Sequence, residues 1–195
     1  MALRKEEEKL YTYEDYLALD DEHSYEVIDG LLYYKNGDPS AMAGVRPKHQ
    51  IIVGKLLRTL GDKFKGKGCI PFSSPVDVIL ATSVFGDIIV QPDVFVICDK
   101  NQINEKNVTG VPALIIEVLS PSSAKMDRLI KYKKYEQAGV AEYWIVDPDA
   151  RLIEVYTLVA GRYQRAAYDE DDTITLSQFS DIIIDVTQIF EDMTA

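Results

Sequence analysis

The chain has 195 residues, enough for one domain with a full hydrophobic core, and its 47% apolar and 27% charged residues are ordinary for a globular protein. A formal net charge of −11 argues against a protein that coats nucleic acid electrostatically, because phosphate neutralisation normally supplies non-specific affinity. No apolar run approaches the roughly 18–20 residues that a membrane-spanning helix needs, so a membrane role has nothing in its favour.

The start, "MALRKEEEKLYTYEDYL", is charged where an export signal would be apolar, and the expected location is the cytoplasm. Residues 12–19, "TYEDYLAL", predict a short helix capped by Thr12. In "SYEVIDGLLYY", Asp29-Gly30 separates two apolar-rich arms, which predicts a hairpin because both turn positions tolerate positive φ. Residues 47–65 repeat Val53, Leu57, Leu60 and Phe64 at helical spacing, with Ile52 and Leu56 beside them. Pro47 suits the first turn of that helix, and His49 stands at the start of its buried stripe.

Strands are predicted over 75–82, 93–99 and 113–120. Ser120 to Ser123 then look like a helix start, and the helix over 124–138 runs to Gly139, a natural C-terminal stop. "EYWIVD" at 142–147 is a further strand, and a second hairpin turns at Ala160-Gly161. A helix joining two apolar strands predicts a crossover unit within a mixed α/β sheet. Cys69 and Cys98, the only cysteines, lack metal-type spacing and are expected as reduced, buried thiols, with a disulfide as the lesser alternative.

Two basic clusters could form a local basic face on the acidic body. They are Lys48, Lys55, Arg58, Lys63, Lys65 and Lys67, and then Lys125, Arg128, Lys131, Lys133 and Lys134. Their plainer reading is a pair of solvated helix faces balanced by acids elsewhere.

The chemistry gathers around two carboxylates. Glu117 interrupts the apolar run "PALIIEVLSPSS", and Asp93 follows Pro92 at the beginning of the preceding strand. If those strands are neighbours, both side chains project at one edge of the sheet. Two such oxygens, several waters and a substrate phosphate suit Mg²⁺. That ion lowers the pKa of water and stabilises charge on a phosphoryl oxygen. Without it, two close carboxylates repel and one tends to hold a proton.

A lysine is the usual third group. Leu119 stands where a Glu-x-Lys arrangement would put it, and Lys131 on the following helix is the substitute. Asp127, Lys131 and Tyr135 share one helix face. Each residue also has a plainer reading. Asp93 could simply start a strand, Glu117 could face solvent, and Asp127–Lys131 could be a helix pair worth only about 0.2–0.5 kcal/mol.

The stretches "YEVIDG", "QPDVFVICD", "PALIIEVLSPSS" and "DRLIKYKKYEQAGVAEYWIVDP" together resemble the Uma2 family, from about Tyr13 to Phe190. That family is similar in fold to the restriction-endonuclease-like PD-(D/E)xK nucleases. The resemblance implies one domain over residues 1–195, with a central mixed sheet flanked by helices and additional β-hairpins. It also implies a site in which Asp93 and Glu117 hold Mg²⁺ or Mn²⁺ and Lys131 is the motif lysine displaced onto the helix. Glu26 in "YEVIDG" would be an additional acid, with an exposed hairpin residue as its plainer reading. His49 would orient water or contact phosphate, unless it is a satisfied histidine at a helix start.

Ser120, Ser122 and Ser123 read as helix caps, and Tyr135, Tyr143 and Trp144 as packing residues. The implied function is a divalent-metal-dependent endonuclease acting on DNA, paired as a homodimer. The alternative is a catalytically weak or inactive nuclease-fold module for binding or regulation, which the acidic pI and the missing strand lysine favour.

Overall fold

The computed structural model describes residues 9–19, 24–35, 46–83 and 86–191. The first eight positions of the charged start, on which the expectation against export rests, lie outside them. Among the described residues, thirteen strands fall into two sheets and a separate ribbon.

The first sheet begins with the expected hairpin, β1 (Tyr25–Ile28) and β2 (Leu31–Tyr34), whose turn residues Asp29 and Gly30 have φ of 54° and 74°. It continues through β4 (Val78–Ser83), β5 (Gly86–Val90) and β7 (Val108–Thr109) in the order β2-β1-β5-β4-β7. The hairpin is thus one margin of this smaller sheet.

The larger sheet contains β3 (Ile70–Ser73), β6 (Val94–Ile97), β8 (Leu114–Val118), β9 (Glu142–Asp147), β10 (Leu152–Val159) and β11 (Arg162–Tyr168). Their order is β11-β10-β9-β8-β6-β3. Only β8 and β9 run parallel, joined by the predicted helical crossover, and the other neighbours are antiparallel. β6 and β8 are buried at every position, which is why β6 reads as an unbroken apolar run and β8 as one broken only by Glu117. The ribbon pairs β12 (Thr173–Leu176) with β13 (Phe179–Asp185).

Helices cover both faces of the larger sheet. α1 (Tyr13–Leu17) packs instead on the smaller sheet and carries the predicted Thr12 cap, completed reciprocally by Asp15. α2 (Pro47–Phe64) lays Ile52, Val53, Leu56, Leu60 and Phe64 onto Val94, Val96, Ile116 and Trp144, while Leu57 stays half-buried at the flank. α4 (Val186–Phe190) completes that face.

The opposite face carries Phe95, Ile97, Ile115, Tyr143 and Ile145, packed against Val78, Val90 and Tyr135. Tyr135 comes from α3 (Tyr132–Ala138), which ends at Gly139 with φ of 85°. The predicted 124–138 helix is therefore present, with one difference. Met126–Lys131 is wound as a π-helix, so the Tyr132 N–H donates back five residues to the Asp127 carbonyl. The side chains of Met126, Asp127 and Lys131 all turn inward there.

The cysteines correct an expectation. Cys69 and Cys98 form a disulfide, with Cα atoms 4.0 Å apart. Cys98 is exposed and Cys69 half-buried, so neither is a buried thiol. The β3–β6 register pairs Ile70 with Ile97, and the next pair outward is Cys69 with Cys98. That pairing brings together residues 29 positions apart, and no local pattern in the sequence announces it. The cysteines therefore give no support to a reducing compartment. Among the described residues, no helix is long and apolar enough to cross a membrane.

Candidate active site

The site lies where the chain passes from one sheet to the other. β5 ends at Val90, Gln91-Pro92-Asp93 make the crossing, and β6 begins at Val94. β6 and β8 are antiparallel neighbours in the register Val94↔Ile116, so the next pair is Asp93 opposite Glu117. Both carboxylates fall on the sheet face shared by Phe95 and Ile115, at one end of central strands. Asp93 is 7% and Glu117 2% exposed, which removes the solvent-facing reading of Glu117.

Asp93 is held firmly through one oxygen. Its Oδ2 accepts the Val118 N–H at 2.9 Å and lies 3.1 Å from His49 Nε2, which the first turn of α2 brings over the strand ends. The Asp93 N–H points to Glu117 Oε2 at 3.4 Å. Glu117 Oε1 accepts from Lys131 Nζ at 3.0 Å and from the Tyr135 hydroxyl at 2.8 Å.

Lys131 Nζ also lies 2.8 Å from Glu26 Oε1 and 3.6 Å from Asp127 Oδ1. Glu26 is 2% exposed, which overturns its plainer reading as an exposed hairpin residue. All five residues singled out in the sequence, Glu26, His49, Asp93, Glu117 and Lys131, thus meet in one buried cluster.

Elementary electrostatics describes this cluster as short of positive charge. Burial pushes the Glu117 carboxyl up to about 8 against the pull of Lys131, and burial likewise lifts Asp127 to about 6. Burial works against the Lys131 charge too, but Glu117, Glu26 and Asp127 outweigh it and hold the ammonium well above its usual range. Asp93 departs the other way. Its burial is outweighed by His49, Lys35 and the Val118 N–H, so it stays below the usual carboxylate range.

Two buried acids elsewhere make a useful contrast. Glu142 is satisfied by the Trp144 indole and the Ser177 N–H, and Glu154 by Arg128 and Arg165. Two members of the basic clusters follow the plain reading of cations balanced by acids. Lys48 pairs with Asp149 at 3.2 Å and Lys134 with Asp29 at 2.6 Å.

The donor set fits a hard divalent cation. Asp93 Oδ1 and Glu117 Oε2 are the less engaged oxygens of the pair, and both residues line a pocket of about 250 Å³. Among the described residues, no three His, Cys, Asp or Glu side chains are gathered as an all-protein cage. Two carboxylates beside open space suit an ion that keeps much of its hydration.

Gln91 and Lys35 also line this pocket, and neither stands out in the sequence. Gln91 donates its N–H to Glu26 at 3.0 Å and its amide to Asp77 at 2.9 Å, while its Oε1 is buried without a partner. Its one sequence signal was adjacency to Pro92-Asp93. Lys35 had none, because its place depends on how two sheets meet.

Ser120 and Ser123 cap one another, each hydroxyl accepting the other's N–H at 3.2 Å, as expected of a helix start. Tyr143 and Trp144 are fully buried packing residues. Tyr135 packs and also serves Glu117, a second role that periodicity does not reveal.

Comparison with known proteins gives a consistent picture. A family profile described as "Uma2: Putative restriction endonuclease" matches residues 13–187. An uncharacterized protein of Synechocystis, slr1290, is 27% identical over 147 residues, which span 73% of this chain and 72% of that protein. The fold is shared with a crystal structure from Anabaena variabilis described as a putative nuclease belonging to DUF820. That match has a TM-score of 0.72 at 20% identity and covers 92% of this chain and 97% of the other. The likeness establishes a restriction-endonuclease-like fold.

Proposed function

The chain belongs to the Uma2 family, and from that premise we propose that it is a divalent-metal-dependent endonuclease that hydrolyses phosphodiester bonds of DNA. The observation that carries the reading is the opposition of Asp93 and Glu117 across β6 and β8, with Lys131 Nζ 3.0 Å from Glu117.

Asp93 and Glu117 would hold Mg²⁺ or Mn²⁺, which when bound supplies Lewis acidity toward water and the phosphate oxygens. His49 and the Val118 N–H fix one Asp93 oxygen and leave the other without a hydrogen bond. Lys131 and Tyr135 hold one Glu117 oxygen, and the other meets only the Asp93 N–H at 3.4 Å. Lys131 thereby assists the reaction by fixing the carboxylate and balancing buried charge. Glu26 anchors Lys131 from the neighbouring sheet. Such bonds around a ligand set its orientation and basicity.

The direct test incubates wild type and Asp93→Ala with duplex and single-stranded DNA in Mg²⁺ or Mn²⁺. Cleavage by wild type alone is the expected result. No cleavage of any DNA form, together with no metal binding, rejects the proposal. Because cutting both strands of a duplex calls for two sites, we also propose a homodimer. Light scattering that finds only monomer at working concentration rejects it.

A second reading has one specific observation behind it. The Lys131 side chain is only 4% exposed and is surrounded by three carboxylates, so its charge is already committed. A nuclease fold retained for binding or regulation would keep such a lysine for stability alone. It predicts partner binding without cleavage.

A further inference from the structure

Lys131 is well suited to holding carboxylates and poorly suited to meeting a substrate. Its Nζ is within hydrogen-bond reach of Glu26 and Glu117, and Asp127 closes a third side. An ammonium has three N–H donors, so little of this one is left for an incoming phosphate.

The pocket holds a second lysine in a different state. Lys35 follows β2, and its backbone N–H donates to the Ser24 carbonyl at 2.9 Å, extending the β1–β2 hairpin by one bond. Its side chain is 14% exposed. Its Nζ stands 3.8 Å from Asp93 Oδ1, close enough to feel the charge and too far for a hydrogen bond. That oxygen is the Asp93 oxygen left free by His49 and Val118. Arg46, the other cation lining the pocket, is well exposed and leans on Asp149 at 3.6 Å.

We infer that Lys35 is the substrate-facing lysine of this site, its ammonium taking a non-bridging oxygen of the scissile phosphate, while Lys131 remains the buried clamp on Glu117. This rests on the nuclease reading and divides between two lysines the tasks that one motif lysine would otherwise combine. In the hydrolysis, the water oxygen bonds to phosphorus as the bond from phosphorus to the departing sugar oxygen breaks. The water gives up a proton to solvent and the departing oxygen takes one. Lys35 keeps its proton throughout and opposes the charge that builds on the phosphate oxygens, a role that acts in the transition state more than in the bound ground state.

The full-length wild type, Lys35→Met and Lys35→Arg are compared on one labelled duplex oligonucleotide with Mn²⁺, alongside thermal melts and Mn²⁺ titrations. The expected result is a kcat lower by on the order of 100-fold in Lys35→Met, with melting temperature unchanged, Mn²⁺ binding retained or tightened, and part of the rate regained in Lys35→Arg. A Lys35→Met enzyme with wild-type kcat overturns the inference. So does loss of Mn²⁺ binding in that variant, since Lys35 would then act by holding Asp93. If wild type cuts no DNA, the nuclease reading itself fails, and the role of Lys35 falls with it.

Discussion

At the scale of single residues, Lys131 is the side chain on which most of the site depends. Removing one partner from a buried ionic cluster leaves the rest without compensation, at a cost of about 3–5 kcal/mol. Lys131→Met should therefore unfold at distinctly lower urea than wild type near neutral pH, with chelator present to remove any metal effect. The sign of the pH dependence follows from the stranded acids. Without Lys131, Glu117 and Asp127, already raised by burial, rise further above their unfolded values. Their protonated forms favour the folded state at low pH, and that advantage is lost as pH rises. The deficit relative to wild type should shrink toward pH 5, and an equal deficit at pH 5 and 8 would contradict this account. Asp93, Glu117 and Lys131 were legible in the sequence because each breaks or follows a strong local pattern: an acid after Pro92, an acid in an apolar run, and a lysine on the face of Asp127 and Tyr135. Lys35 and Gln91 were not, because only the meeting of β2 and β5 with the larger sheet brings them to the same pocket.

At the scale of elements, the β8–α3–β9 crossover was readable from hydrophobic runs and the glycine stop, while the π-helical turn inside it was not. Apolar periodicity over 126–131 is compatible with either winding, and the choice falls to the buried acids that Lys131 must reach. The helix end makes a simpler test. Gly139 has φ of 85°, and a Cβ built there meets nothing within 4 Å. Gly139→Ala therefore probes backbone strain alone. Left-handed conformation in a non-glycine residue costs about 1–2 kcal/mol, and the urea midpoint should fall by a corresponding amount with Mn²⁺ binding unchanged. The strands missed in the sequence, β3, β5, β7 and the β12–β13 ribbon, are short or bordered by weak signals. Their identity comes from their neighbours: Ile70–Ser73 is a strand because β6 lies beside it.

At the scale of the whole molecule, the formal charge of −11 and the fold fit together once the cations are located. Lys48, Lys67, Arg128 and Lys134 are tied to acids, which lowers the free positive charge that the two basic clusters can offer to phosphate. The division into two sheets was not evident from the order of strand-like runs, because the crossing at Gln91-Pro92-Asp93 resembles an ordinary strand start. The same strand that starts at this crossing ends beside Cys98, whose bond to Cys69 ties β6 to the outermost strand of the larger sheet. The stretch between the two sulfurs is a closed covalent ring, and it includes Asp93. A protease that cuts the backbone once between Ile70 and Ile97 would not divide the molecule: the product should migrate as a single species on a non-reducing gel and separate into two fragments only after a thiol is added.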